Sequence, residues 1–275
     1  VYNKATALPR HYANLYYNGS FGKLGIDFNA NYLWYKSRET SFSAEIAEQG
    51  DDRDVNNFTT NRNRMFAEKL VFSYPLGKGG IEIGEEYTNS RSSNLFTTNL
   101  SEIGNADNRV DESNIAAFVE FGQQIGRFNI GVGLRYEHVK FDYYEMGQLR
   151  DEQSKTYNNL FPSLNVATQI GSVRMGLNYS GKTVRPGYSQ LDGTISYINR
   201  LTYETGNPYL KPTKMQTVEY MAQWRRFFAQ LSYTYFKDGV YHITEPYGAD
   251  GEATLIKTAN LPNRHYFQAF VGGNF

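Results

Sequence analysis

The stretch Gly176-Leu177-Asn178-Tyr179-Ser180-Gly181-Lys182-Thr183 matches a phosphate-cradling loop letter for letter. Such a loop surrounds phosphate oxygens with backbone N–H groups and reaches them with its lysine; it follows a buried strand and opens a helix. Neither context is present here. Val173, Met175, Leu177 and Tyr179 alternate with Arg174, Gly176, Asn178 and Ser180 straight through the match, and Arg185-Pro186 follows. The match is read as coincidence. Asp51, Asp52 and Asp54, and Asp107, Asp111 and Glu112, offer carboxylates for Ca²⁺, but neither set has EF-hand spacing, and both read as solvated loop charge. His11, His138, His242 and His265 are scattered, with no HExxH pair and no serine partner for nucleophilic work. Glu82, Glu85 and Glu86 invite an acid–base pair, yet they sit in an alternating segment and read as lining of an interior. No catalytic residue, metal site or cofactor is expected, and the chain is read as not an enzyme.

The elements that hold these residues are strands. Leu24, Ile26, Phe28, Ala30, Tyr32 and Trp34 form one face of a segment whose other face is Gly25, Asp27, Asn29 and Asn31. Phe128, Ile130, Val132, Leu134 and Tyr136 alternate in the same way with Asn129, Gly131, Gly133, Arg135 and Glu137. Period two with one apolar and one polar face is a β signature. It recurs to give about twelve strands of roughly ten residues each, the length a tilted strand needs to cross a bilayer. Links near Gly19, Gly77, Gly126, Gly171 and Arg225 are short. Loops at about 39–61, 89–113, 143–158 and 185–213 are long. The last two strands, Ala253–Asn260 and Tyr266–Phe275, read as a closing hairpin. Short turns at one rim and long loops at the other are the pattern of an outer-membrane barrel. Aromatics near strand ends (Tyr32, Trp34, Tyr74, Tyr136, Tyr143, Trp224 and Phe227) suit the membrane–water interface.

Composition agrees. Among 275 residues, 28 basic side chains balance 28 acidic ones, which opposes a nucleic-acid partner. The absence of Cys excludes disulfides and thiolate metal sites. Mean hydropathy is −0.59, and the longest apolar runs are far short of a transmembrane helix. A membrane barrel meets lipid with every second residue only, so low mean hydropathy fits it. A soluble sandwich alternates too, but its inward face must close a dry core, whereas the polar face here carries Gly, Asn, Ser, Gln, Arg and Glu.

One stretch goes further. After Asn178-Tyr179-Ser180 come Arg185-Pro186, then Gly206-Asn207-Pro208-Tyr209-Leu210-Lys211-Pro212, then a strand carrying Glu219; Leu160-Phe161-Pro162-Ser163-Leu164 precedes them. This order resembles the barrel of TonB-dependent outer-membrane receptors, especially the outer-membrane β-barrel family abundant in Bacteroidetes. Thr213 departs from it, since many relatives place an acid there. The resemblance implies an all-β transmembrane antiparallel barrel. Residues 1–275 would be a barrel domain supplying about 12 strands of a barrel of about 22, without its plug. It also implies a bacterial outer-membrane receptor that imports a scarce nutrient (siderophore, cobalamin or glycan). Its partners would be outer-membrane lipid, TonB through the missing plug region, and a surface lipoprotein. Phe275, with Val271 and Phe267, also fits the terminal aromatic of a complete barrel, so a stand-alone pore or translocator of about twelve strands remains an alternative, and a soluble β-sheet binding module is another.

The motif residues Arg185, Pro186, Gly206, Asn207, Pro208, Leu210, Lys211 and Pro212 are read as structural. Each proline fixes its own φ and forces its predecessor extended, so the chain leaves and re-enters the wall at set places. Arg135, Arg174, Lys182, Arg185 and Glu219 are expected to face the lumen. Ligand contacts, if this chain makes them, are expected at Tyr188, Tyr197 and Tyr203, since aromatic rings stack on glycans and siderophores alike.

Overall fold

The computed structural model describes residues 2–46, 52–248 and 250–273, with backbone alone at 2, 3, 5 and 7–9. Asp51 and Phe275 lie outside the described residues. The chain forms β1 (Tyr2–Phe21), β2 (Leu24–Glu45), β3 (Arg53–Leu76), β4 (Gly79–Thr98), β5 (Ala106–Ile125), β6 (Phe128–Glu145), the two-residue β7 (Gln148–Leu149), β8 (Lys155–Ile170) and β9 (Val173–Val184). A helical turn α1 (Tyr188–Leu191) follows, then β10 (Ile195–Asn199), β11 (Thr202–Thr205), β12 (Thr213–Trp224), β13 (Phe227–Lys237), β14 (Gly239–Tyr247), β15 (Ala253–Leu261) and β16 (Arg264–Gly273).

A 12-stranded sheet runs in the order β1-β2-β3-β4-β5-β6-β8-β9-β12-β13-β16, with β7 on the end of β6. All its pairings are antiparallel, and six are closed by two-residue turns, one of them Met146-Gly147 between β6 and β7 with Met146 at φ of 50°. Gly22, Gly77, Gly126 and Gly171 open four of the others at φ of 63, 57, 58 and 58°, and Arg225 opens another at 51°. Positive φ at the first central residue gives the primed turns whose twist matches that of the flanking strands. One cross-strand row, Phe72, Ile83, Val119 and Leu134, carries the outward face. The adjacent row, Ser73, Glu82, Glu120, Gly133, Ser163, Ser180, Thr217 and Thr234, carries the inward one. Apolar side chains stay exposed along the outward face, among them Phe72, Ile83, Val132, Leu134 and Leu160. That belt reaches from the turns up to about Trp34, Phe66, Tyr87, Ile115, Tyr136 and Leu160. A contiguous exposed apolar band of this kind is the surface that lipid covers.

Several boundaries differ from expectation. The segments at 39–61 and 89–113 are strand for most of their length, as β2 runs to Glu45 and β3 starts at Arg53, while β4 runs to Thr98 and β5 starts at Ala106. Above the belt the outward face meets water. Both faces become polar there, and the alternation that marks a strand vanishes although pairing such as Ser37 with Asn61 and Arg62 with Ser93 continues. The strand expected over Phe227–Tyr241 breaks at Asp238, whose φ is 57°. The expected closing hairpin does not form either. β16 pairs with β13, while β15 joins a second sheet of order β10-β11-β15-β14, where it runs parallel to β11 and antiparallel to β14. β1 and β16 are the edges of the large sheet and do not pair with each other among the described residues.

Candidate functional site

The small sheet and α1 fold back over the inward face at the end remote from the tight turns. The chain enters this region at Arg185-Pro186 and leaves it through Gly206–Pro212. Two apolar clusters hold it in place. Val55, Phe96, Leu100, Ile103, Tyr197, Tyr203 and Leu255 form one; Val110, Phe141, Tyr143, Leu191 and Leu210 form the other. These are the packed cores of the described residues, and they join the folded-back segment to β3–β6 rather than filling the barrel.

The motif residues are the joints of this segment. Gly206 N–H donates to the Asp192 carbonyl at 2.9 Å and Asn207 N–H to the Gln190 carbonyl at 2.6 Å. A Cβ at Gly206 would lie 2.4 Å from the Asp192 oxygen and 2.7 Å from those of Gln190 and Ser189, so no larger residue fits. Asn207 Oδ1 accepts from Tyr209 N–H at 2.9 Å, and its Nδ2 donates to the Thr258 carbonyl at 3.0 Å, tying the loop to β15. Lys211 and Asn260 exchange two bonds: Lys211 N–H to Asn260 Oδ1 at 2.8 Å, and Asn260 Nδ2 to the Lys211 carbonyl at 2.9 Å. Leu210 is buried, and Lys155 Nζ donates to its carbonyl at 3.2 Å. Pro186 and Pro212 flank Leu210 and Leu191 beside Tyr157. Thr213 is buried and donates its hydroxyl to the Asp238 carbonyl at 3.1 Å.

Arg185 does more than start the loop. Its Nη1 donates to Glu112 at 3.1 Å and its Nη2 lies 3.7 Å from Glu137. Glu137 also pairs with Arg135 at 2.8 Å, Arg135 with Glu86 at 2.6 Å, and Glu86 with Lys69 at 3.0 Å. Six alternating charges thus climb the inward wall across β3, β4, β6 and β5, with Arg185 just past the end of β9. Arg135 and Arg185 face inward as expected. Glu219 accepts a bond from Gln230, Arg174 reaches only Gln169 near its turn at 3.1 Å, and Lys182 keeps an inward register position on β9. Burial pushes the Glu112 carboxyl above its ordinary value, and Arg185 opposes that rise.

Between the folded-back segment and β2–β4 lies an open cavity of about 620 Å³. Its wall is amide and hydroxyl: Ser37, Thr59, Asn61, Asn63, Ser92 and Asn94 from the strands, and Ser189, Gln190, Thr194, Ser196, Thr205 and Thr258 from the cover. Tyr35, Phe96 and Tyr188 add aromatic surface; Glu39, Asp192 and Glu204 add carboxylates and His242 an imidazole; among the described residues no lysine or arginine lines it. Asp192 organises the seam. It accepts bonds from Asn94, from Asn108 at 2.6 Å, and from the Thr194 N–H and hydroxyl at 3.0 and 2.6 Å. The sequence reading missed it, although Asp192-Gly193-Thr194 carries turn chemistry.

The three candidate tyrosines separate. Tyr188 lines the cavity, and its hydroxyl bonds Ser90. Tyr197 and Tyr203 are 8 % and 5 % exposed and pack edge-to-face at 5.5 Å inside the first cluster. Arg53 lies 5.8 Å over the Tyr197 ring and pairs with Glu102 at 2.9 Å. Burial, then the neighbouring Glu45, pushes the Tyr197 hydroxyl up to about 12.

Of the other candidates, Gly176 to Thr183 lie inside continuous strand β9, which runs on to Val184 and gives way to Arg185-Pro186 before the short α1, so their N–H groups belong to sheet pairing rather than to a phosphate. Asp111 pairs with Arg91 at 2.5 Å and Arg109 at 3.5 Å on the outward face, while its neighbour Glu112 turns inward to Arg185. Glu82 and Glu86 are inward, and Glu85 is outward.

An antiparallel wall with a lipid-type exterior, a polar interior, tight turns at one rim and folded-back cover at the other is that of a transmembrane β-barrel. Residues 20–275 match the Outer membrane protein beta-barrel family, and the chain belongs to it; it is an outer-membrane protein. No curated protein matches the sequence. Among solved structures, it superposes on the copper transporter OprC with a TM-score of 0.72 at 11 % identity, over 98 % of this chain and 44 % of that one. It superposes on the ferric-catecholate import receptor Fiu from E. coli K12 at 0.58, with 14 % identity over 99 % and 45 %. For the ferric yersiniabactin uptake receptor FyuA from Yersinia pestis the values are 0.55, 12 %, 96 % and 43 %. At such identities the likeness is one of fold. The chain spans less than half the length of these proteins.

Proposed function

We propose that this chain forms part of the wall and ligand vestibule of a TonB-dependent receptor, of the type abundant in Bacteroidetes, that imports a scarce nutrient through the outer membrane and performs no chemistry on it. The observation that carries this reading is the covered polar cavity at the loop-side mouth, where a cargo would be held before passage. The names of the similar structures support a receptor or transporter, and the motif resemblance supports TonB coupling. Two unpaired edges support a barrel larger than the described sheet, because a strand edge in hydrocarbon leaves N–H and C=O groups without partners. Further strands would pair with β1 and β16, and a plug would dock on the charged ladder.

The lining narrows the cargo. Hydroxyls, amides and aromatic rings, with three carboxylates against one imidazole and no lysine or arginine among the described residues, suit a neutral hydroxyl-rich molecule such as a glycan better than an anionic iron chelate, which the carboxylates would repel. Tyr188, which lines the cavity, would stack on it. The test is equilibrium binding of a panel of neutral oligosaccharides and of a ferric tricatecholate chelate to the detergent-folded protein, with Tyr188→Ala and Ser92→Trp alongside. Saturable oligosaccharide binding weakened by both substitutions supports the reading. Binding of the chelate alone overturns the cargo class. Binding that neither substitution affects removes the cavity from the path.

A further inference from the structure

Above the apolar belt the outward face of β2 and β3 carries Lys36, Arg38, Arg62 and Arg64. Pairing sets Lys36 directly opposite Arg62, and Arg64 opposite Trp34 one step nearer the belt. Below them Tyr32 pairs with Phe66, the top of the apolar surface. Like charges directly opposite on a sheet destabilise it, so such a pair needs a compensating anion. On β4, β5 and β6 each outward cation at this height has a carboxylate: Arg91 and Arg109 share Asp111, and Lys140 has Asp142 at 2.9 Å. Among the described residues, none lies within ion-pairing distance of the β2–β3 four. β1 brings His11, stacked 5.3 Å from Trp34, Thr6 and, one step higher, Lys4 to this face, with no acid. Glu39 and Glu45 fall on the inward register, and the outward Glu68 lies two outward positions below Arg64, within the belt.

We propose that this quartet binds the phosphates of a lipid headgroup in the external leaflet. Its height places it where headgroups lie, just past the last apolar pair. Arginine forks match phosphate oxygens bidentately, and the long stems can lie on the apolar surface while the charged ends reach up. Trp34 and Tyr32 mark the same interface from the apolar side. The bound lipid would close the repulsive gap that the sheet leaves open and anchor β2 and β3 at a fixed depth.

The test uses native mass spectrometry of the detergent-folded protein with lipid A carrying two phosphates, with dephosphorylated lipid A, and with inorganic phosphate. The expected result is retention of the bisphosphorylated lipid, weaker by about tenfold or more for the dephosphorylated one and for the variant Lys36→Gln, Arg38→Gln, Arg62→Gln, Arg64→Gln. Should that variant fail to give a compact heat-shiftable band, Lys36→Gln with Arg62→Gln carries the same expectation with a smaller loss. Equal binding of the two lipids, unchanged binding by a folded variant, or displacement of the lipid by inorganic phosphate at comparable concentration would each overturn the assignment.

Discussion

Arg185 Nη1 donates to Glu112 Oε1 at 3.1 Å, and this one bond pins the first residue beyond β9 to the inward face of β5. The covering segment is thereby held to the wall at its entrance, as Lys211 and Asn260 hold it at its exit.

Replacing Arg185 with Met leaves Glu112 buried without its partner. Breaking a buried pair costs about 3–5 kcal/mol, and partial exposure (28 % for Arg185, 13 % for Glu112) brings the expected loss to about 1–3 kcal/mol. Burial already raises the Glu112 pKa, and losing Arg185 raises it further. A raised carboxyl gives stability that is present below its unfolded value and lost as pH rises through its folded value. The deficit of Arg185→Met is therefore larger at neutral pH than in mild acid. Midpoints of heat-modifiability at the two pH values check this; an equal deficit at both would count against the buried pair.

Gly206→Ala puts a methyl group against three carbonyl oxygens. The folded-back segment must shift, at a cost of about 1–3 kcal/mol, while the strands in the belt stay paired. Limited proteolysis should cut the variant within residues 185–213 and spare the rest of the barrel. Cleavage spread evenly over the chain would mean that the segment and the wall unfold together.

The buried Tyr197 hydroxyl supplies a pH dependence of the opposite limb. Its pKa is raised from 10.0 to about 12, so its contribution is complete below 10.0 and is lost as pH rises through about 12. A tyrosinate absorbance titration should show a step near 12 that Tyr197→Phe reduces by one phenol, the remainder belonging to Tyr157, which burial also pushes up to about 12. If the missing step instead falls near 10.0, the cluster is not closed over the ring.

Arg135 bridges Glu86 and Glu137. Arg135→Met is expected to destabilise by about 1–3 kcal/mol, and Glu86→Gln added to it should restore part of that loss, because one of the two stranded carboxylates is gone. A double-mutant cycle on thermal midpoints reads the coupling. Additive losses would show that the ladder residues act independently.

The wall was legible where lipid imposes a pattern. Phe128 to Tyr136 must alternate because one face is in hydrocarbon, and their register follows from that alone. Ser37, Asn61 and Ser92 continue the same strands above the belt, but with Arg62 and Ser93 polar on the other side no alternation remains to mark them. Ala253–Asn260 shows the opposite failure. Its pattern suits a membrane strand, yet it pairs with β14 before it rather than with β16 after it, and on its other edge it runs parallel to β11, Thr202 opposite Thr254, a pairing no local signal encodes. Tyr197 and Tyr203 read as accessible loop aromatics because only the tertiary fold brings Val55, Phe96 and Ile103 around them.

The central claim is that the two faces of this sheet meet different solvents. Because the chain has no native cysteine, single-cysteine spin labels placed from Phe128 to Tyr136 in the bilayer-reconstituted protein read it directly. Collision with oxygen, which concentrates in lipid, should peak at Ile130, Val132, Leu134 and Tyr136. Collision with a water-soluble nickel chelate should peak at Asn129, Gly131, Gly133 and Arg135. Equal access of the chelate to both sets would contradict a lipid-facing wall.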